Sequence, residues 1–433
     1  MIDEKRPIFA LSTPKARGAI GVFRISGKNC HNIIKKISSK KRWKKNTTSI
    51  NYLLDEEKRK IDKTITVFFN SPNTYTGENM VEISCHGGLA IINKISQTLI
   101  NSGLRPANPG EFTKRSLLND KLDLTQVEGV SDLVNAETEQ QRIIAFKNLE
   151  GHTSSAIKKL NLKITKMLAD TEALIDFSDE DLPKNTLKNL KEQNKNIINL
   201  IKRDIKRSAL SKTIRDGFLI GILGKPNTGK SSFLNYISGR EVAIVTNIPG
   251  TTTDSLEVPI DIDGFKFRFI DTAGIRKHKN AIEKIGIERA KKISLYSNLN
   301  VVFLDRFEKE KYKDIPNKIF VRSKQDIRKK SFSKKGILNI SSKTGFGVSG
   351  LIKKIKKNLI KSDLEKNPVF SRERHIMKIK NCLKSLESIN FDKNIDIASE
   401  EIRNALKETQ EIYQKFDIEK ILDIIFSDFC IGK

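Results

Sequence analysis

The chain has 433 residues, 37% hydrophobic and 30% charged, with 80 Lys and Arg against 52 Asp and Glu for a net charge of +28. This balance excludes a disordered chain, and the length fits about two to four domains rather than one core. No run approaches the ~18 apolar residues of a membrane span, and the opening MIDEKRPIFALS lacks the apolar core of a signal peptide, so a cytoplasmic location is expected. The basic excess suits a polyanionic partner such as RNA, but suits equally well a plain compositional preference for Lys, Ile and Asn. Four scattered cysteines, Cys30, Cys85, Cys382 and Cys430, form no C-x-x-C pair, so neither a disulfide framework nor a structural zinc is expected.

Residues 1–118 read as mixed α/β. Short strands are expected at 19–25 (AIGVFRI) and 65–69 (ITVFF), punctuated by Gly and Pro. From about 119 the period changes. Val127, Val130 and Val134, then Ile157, Leu160, Ile164 and Leu168, then Leu190, Ile197, Ile201 and Ile205 recur at helical spacing and predict a bundle of long amphipathic helices over 119–215. Strands and helices alternate from 216 to 360, which implies a largely parallel sheet covered by helices. Residues 361–433 return to a helical pattern. The expected architecture is a discontinuous helical domain interrupted by an inserted α/β domain.

The inserted segment carries the chemistry. The apolar run FLIGIL at 218–223 leads into GKPNTGKS at 224–231, which matches G-x-x-x-x-G-K-[ST]. Between a strand and a helix, such a loop wraps backbone N–H groups around a β-phosphate. Asn227, Thr228, Gly229, Lys230, Ser231 and Ser232 are therefore candidate nucleotide contacts. Lys230 would neutralise the β/γ oxygens, and the Ser231 hydroxyl would ligate Mg²⁺. Downstream, Thr251 and Thr252 lie in GTTTD. Thr252 is the residue expected to close over a γ-phosphate and its Mg²⁺. A hairpin signal at Asp263-Gly264 then precedes the strand FKFRFI, which delivers Asp271, Thr272, Ala273 and Gly274 (D-x-x-G). Asp271 would hold the Mg²⁺ shell, and the Gly274 N–H would sense the γ-phosphate and set a switch.

Two further strands, at 318–322 and 337–340, lead into Ser323-Lys324-Gln325-Asp326 and Ser341-Ser342-Lys343. These stand where GTPases carry N-K-x-D and S-A-K. Asp326 would accept the guanine Watson–Crick donors, Lys324 would cover the base, and the Ser342 N–H would meet O6. Ser323 replaces the usual Asn. Its shorter hydroxyl is expected to reach its targets poorly or through water, so guanine preference is expected with weakened affinity. Ile275 follows D-x-x-G where Ras-like enzymes place a water-orienting Gln. Asn227 offers a side-chain oxygen for a monovalent cation, with loop carbonyls among Thr246, Asn247, Ile248, Pro249 and Gly250 completing the cage. A plain loop role for Asn227 fits the sequence as well.

The strings GKPNTGKSS, IVTNIPGTTTD and DTAGIR…EKIGIERA, with RGAIGVFRISG, SPNTYTGENMVEISCHGG, PGEFTKRSLLNDKLDLTQVEGV and the terminal FCIGK, resemble the MnmE (TrmE) family of tRNA-modification GTPases over nearly the whole chain. The resemblance implies potassium-stimulated GTP hydrolysis. Asn227 matches the potassium position, with Thr246, Ile248 and Thr251 as further ligands, and Glu283 matches the residue that positions the attacking water. It also implies an N-terminal domain that dimerises and binds a tetrahydrofolate (5,10-methylene or 5-formyl). Arg24, Glu82, Lys121 and Lys433 match its contacts. Cys430 stands close to the same pocket, its chemical role open. A carboxylate would pair pterin N–H groups, and cations would take the tail carboxylates.

The family acts as a homodimer with an FAD-containing partner, MnmG. Together they install an aminomethyl or carboxymethylaminomethyl group at carbon 5 of the wobble uridine of tRNA, with no membrane involved. Thr253 stands where the family pattern has Arg, and residues 304–319 are short and highly charged. Three other readings share parts of these motifs. They are a ribosome-assembly GTPase switch without modification chemistry, a folate-dependent one-carbon transferase regulated by GTP, and a nucleic-acid module with a vestigial nucleotide site.

Overall fold

The computed structural model describes residues 6–176, 185–240, 242–243, 257–271, 292–305, 308–328, 336–360, 368–414 and 432. The chain divides into two compact units. One comprises Met1–Val134, Asn148–Lys158 and Thr409–Lys433, and the other Asn135–Lys147 and Lys159–Glu408.

Among the described residues of the first unit, six strands form one sheet: β1 Ile8–Leu11, β2 Ile20–Ser26, β3 Ser49–Leu54, β4 Lys60–Phe69, β5 Met80–His86 and β6 Arg105–Pro106. Their spatial order is β3-β4-β5-β2-β1-β6. All pairs are antiparallel except β1–β6. The period of two along IGVFRIS puts Phe23 and Ile25 on the buried face and Arg24 on the other. Helices α1 (Cys30–Lys36) and α2 (Leu89–Asn101) cover the buried face, and Ile92, Ile95 and Leu99 of α2 pack on Phe23, Phe68 and Ile83. Burial pushes the Cys30 thiol up to about 12 and the Cys85 thiol up to about 11, so both behave as inert core groups. Helix α3 (Glu111–Leu118) inserts Phe112 beside Ile8 and Met80, and α4 (Leu124–Val134) buries Leu124, Val127 and Val130. Val134, expected in the core, is 38% exposed at the helix end.

Helices α5 (Glu139–Leu149), α6 (His152–Asp176), α7 (Thr186–Ser208) and α8 (Ser211–Asp216) follow. Most of the predicted stripe positions are buried, Ile157, Leu160 and Ile164 on α6 and Leu190, Ile197 and Ile201 on α7, while Leu168 and Ile205 are only half-buried. In the second unit α7 packs on the later helix α11 (Glu373–Ser388), and Asn194 Nδ2 donates to the Leu386 carbonyl at 3.0 Å.

The second sheet contains β7 Phe218–Gly224, β8 Val242–Ala243, β9 Glu257–Ile262, β10 Phe265–Asp271, β11 Leu299–Phe303, β12 Lys318–Arg322 and β13 Ile337–Asn339. Its order is β13-β12-β11-β7-β10-β9-β8. The five strands from β13 to β10 are parallel, and β9 and β8 continue antiparallel. Helices α9 (Lys230–Arg240) and α10 (Val348–Leu359) contribute Phe233, Ile237, Leu351 and Ile355 to a core with Phe218, Phe267 and Val301. The β9–β10 turn bears on the start of α5. Gln140 N donates to the Gly264 carbonyl at 3.1 Å, and Lys266 pairs with Glu137. The last named helix, α12, spans Ile395–Tyr413. Among the described residues no helix is long and apolar enough to cross a membrane.

Candidate active site

Two groups of candidate residues come together, one in each unit. The first sits where β7 gives way to α9. Gly224 (φ +140°), Asn227 (φ 59°) and Gly229 (φ +92°) carry the left-handed backbone that bends this loop back on itself. Thr228 is buried, and its Oγ1 donates to the Lys225 carbonyl at 2.8 Å. Lys230 is 4% exposed, with Nζ donating to the carbonyls of Gly224 at 2.8 Å and Lys225 at 2.7 Å. Its charge is thus fixed across the mouth of the loop. Ser231 Oγ donates to Asp271 Oδ2 at 3.2 Å, because β10 lies parallel to β7 with Asp271 opposite Ile222. A hydroxyl and a carboxylate in contact at this spot are hard oxygen donors of the kind Mg²⁺ takes, so the residues fit that ion. Asn227 is exposed at the loop tip.

The loops after β12 and β13 meet beside this one. Lys324 (φ 61°) turns the chain so that Asp326 faces Ser341, whose Oγ donates to Asp326 Oδ1 at 2.7 Å. That hydrogen bond holds the Asp326 carboxyl below its usual range. The Ser342 hydroxyl is buried without a partner among the described residues, an orphan polar atom at the same place. Lys343 is exposed.

Ser323 lies against the phosphate loop. It is 3% exposed, and its Oγ donates directly to the Thr228 carbonyl. The shorter side chain therefore reaches the phosphate loop without a water, because the two loops approach closely enough. Among the expected contacts, Thr246, Asn247, Ile248, Pro249, Gly250, Thr251, Thr252, Thr272, Ala273, Gly274 and Glu283 lie outside the described residues.

The second group stands on the open face of the first sheet. Strand register puts Arg24 opposite Glu82, and the two pair with Nη2 and Oε1 3.0 Å apart. The Arg24 guanidinium also lies 5.6 Å from the centre of the Tyr75 ring. Lys121 flanks the same loop, since a Cβ on Gly77 would stand 3.3 Å from its Cε. A cavity of about 520 Å³ opens on Lys121, lined also by Lys158, Gln126 and Tyr413. Lys433 and Cys430 lie outside the described residues, but Gly432 between them rests on the end of β1, accepting from Ser12 Oγ at 3.4 Å. Arg24, Glu82 and Tyr75 do not line that cavity, but a guanidinium, a carboxylate and an aromatic face together suit a flat, hydrogen-bonding ring, so these three residues fit the ring of a folate.

Behind this face, Arg115 bridges Glu78 at 2.9 Å and Glu111 at 3.1 Å. Burial alone would raise the Glu111 carboxyl, but the hydrogen bond from Arg105 and the nearby cations hold it low. Sequence reasoning singled out neither Tyr75 nor this network. The Y in SPNTYTGEN was the available signal for the former.

Residues 7–121 match the family model for the N-terminus of the GTP-binding protein TrmE, and residues 124–430 match that for the MnmE helical domain. The chain belongs to the MnmE family. It is 35% identical over 449 residues to the tRNA modification GTPase MnmE of Aquifex aeolicus, covering 99% of this chain and all of that one. It is 36% identical over 453 residues to the MnmE protein of Natranaerobius thermophilus, covering 98% and 99%. Among solved structures, the G domain of a T. maritima FeoB iron transporter is 23% identical and covers 33% of this chain and 98% of that one, with a TM-score of 0.26. The N-terminal model spans Arg24 and Lys121, and the helical model runs across the inserted sheet.

Proposed function

We propose that this chain is a potassium-activated GTPase that, with the FAD-containing protein MnmG, modifies carbon 5 of the wobble uridine of tRNA using the one-carbon unit of a tetrahydrofolate. The observation that carries the nucleotide half is the meeting of Lys230, Ser231 and Asp271 at a strand-to-helix turn. Backbone N–H groups of the loop hold the β-phosphate, and Lys230 offsets charge on the β/γ oxygens. Ser231 and Asp271, with Thr252, would hold Mg²⁺, which would supply positive charge to offset that developing on the phosphates. Asn227, with Thr246, Ile248 and Thr251, would hold a potassium ion, which would add positive charge beside the phosphates, and Glu283 would orient the attacking water. Asp326 selects guanine, supported by Ser341, with Lys324, Ser342 and Lys343 closing on the base.

The folate half rests on Arg24 and Glu82 beside Tyr75, with Lys121 and the terminal Lys433 as tail contacts. The flavin of the partner supplies the redox step. Homodimerisation through the first domain is in keeping with exposed Ile20, Ile50 and Ile65 on its sheet. The proposed domains are 1–118, 119–215, 216–360 and 361–433, in a cytoplasmic protein.

Phosphate release measured in potassium and in sodium tests the nucleotide reading. Activity is expected to rise about tenfold or more in potassium, and Asn227→Ala to abolish that difference. Equal rates in both salts would overturn it. Mass analysis of wobble uridines from a deletion strain tests the modification, which unchanged nucleosides would exclude.

A further inference from the structure

We infer that Ser323 is a positioning residue that straps the base-recognition loop to the phosphate loop, and that it does not read the base. The inference rests on the nucleotide site proposed above and is independent of the folate and tRNA readings. A serine hydroxyl carries one proton. Here that proton goes to the Thr228 carbonyl, so no donor remains for the acceptors on the guanine ring. The side chain is only 3% exposed, which closes it to a ligand.

The contact is tight on a second side. A Cβ on Gly229 would lie 2.6 Å from Ser323 Oγ and 3.2 Å from its Cβ, so the two loops meet across a bare glycine. The carbonyl that accepts is itself fixed. Thr228 is held by its own Oγ1 on Lys225 and is flanked by two left-handed residues, Asn227 and Gly229. Ser323 therefore closes a ring of contacts around the loop that must cradle a phosphate, and the base loop presses on the phosphate loop from the side. Guanine selection falls to Asp326, whose carboxylate is exposed and oriented by Ser341. An Asn at 323 adds two heavy atoms to a space already filled, so the GTPase consensus residue does not strengthen this site.

The test compares full-length wild type with Ser323→Ala and Ser323→Asn, using GTP and 7-deaza-GTP, which lacks a ring acceptor a base-reading hydroxyl would use. Ser323→Ala is expected to weaken both nucleotides by the same factor, about three- to tenfold, through faster release. At saturating GTP its kcat stays within about twofold, so the change falls on KM. Ser323→Asn is expected to bring no gain in affinity for either. A loss confined to GTP, no loss with Ser323→Ala, or tighter binding by Ser323→Asn would each overturn the inference. Wild type that binds neither nucleotide removes the nucleotide reading and the strap together. Circular dichroism of each variant without nucleotide separates a lost strap from a lost fold, and an unfolded Ser323→Ala with an intact, tighter-binding Ser323→Asn counts against it.

Discussion

In the inserted sheet the candidate groups leave the carboxyl ends of parallel strands, whereas in the N-terminal sheet they stand on one face of antiparallel strands. The phosphate loop is made chiefly of backbone, bent by Gly224, Asn227 and Gly229, with Lys230 and Ser231 following directly in sequence. The Arg24 face is made of side chains brought together by register, with Arg24 and Glu82 58 residues apart. A backbone cradle tolerates change in side chains that merely line it, while a register-built pair depends on each partner. Removing one member of such a pair leaves the other half-buried and unmatched.

Three variants sharpen or break this contrast. Lys230→Ala is expected to lower GTP hydrolysis about a thousandfold, since a buried cation of the loop is lost. Tetrahydrofolate binding by the same variant should be unchanged in calorimetry, and a parallel loss there would show that the two regions are not separate. Arg24→Ala is expected to weaken tetrahydrofolate binding about 10- to 100-fold and to leave basal GTP hydrolysis intact. Undiminished folate affinity would remove Arg24 from that site.

The smallest effect concerns Asp326, whose pKa the Ser341 hydrogen bond lowers. A lowered folded pKa keeps the carboxylate ionised to lower pH, and what depends on that charge is lost only as pH falls through the folded value. In Ser341→Ala the titration should move up toward the ordinary value of about 3.9. Nucleotide affinity should then begin to fall at a higher pH than in wild type. Carboxyl titration by NMR checks the shift, and an unchanged midpoint would show that Ser341 does not hold the charge.

Legibility followed the same division. GKPNTGKS and the strand before D-x-x-G were readable because contiguous residues build the cradle, and Lys230, Ser231 and Asp271 do converge. The stripes on α6 and α7 were readable because a helix repeats its buried positions at fixed spacing. Strands β1, β3 and β5 were not singled out. SINYLL and MVEISCH are short and mix polar groups such as Asn51 and Glu82 among apolar ones, and only pairing with distant strands reveals which face each occupies. The pairing of Arg24 with Glu82 is a register fact that no local pattern carries. The contact of Ser323 with the Thr228 carbonyl is legible only in the fold, because side-chain length says nothing of how near two loops come.

Strand β10 links two matters that otherwise look unrelated. It is seven residues long, about 20 Å, and is laddered to β7 on one side and β9 on the other. At one end stands Asp271, and at the other Gly264 accepts from Gln140 in the first turn of α5 while Lys266 pairs with Glu137 just before it. Slippage by a single residue would turn Asp271 to the opposite face and pull Lys266 off Glu137 in the same stroke. The strand therefore has no freedom to creep lengthwise. It behaves as a strut between the corner where Ser231 meets Asp271 and the foot of a helix, and any displacement of that corner must carry the whole hairpin with it as one piece.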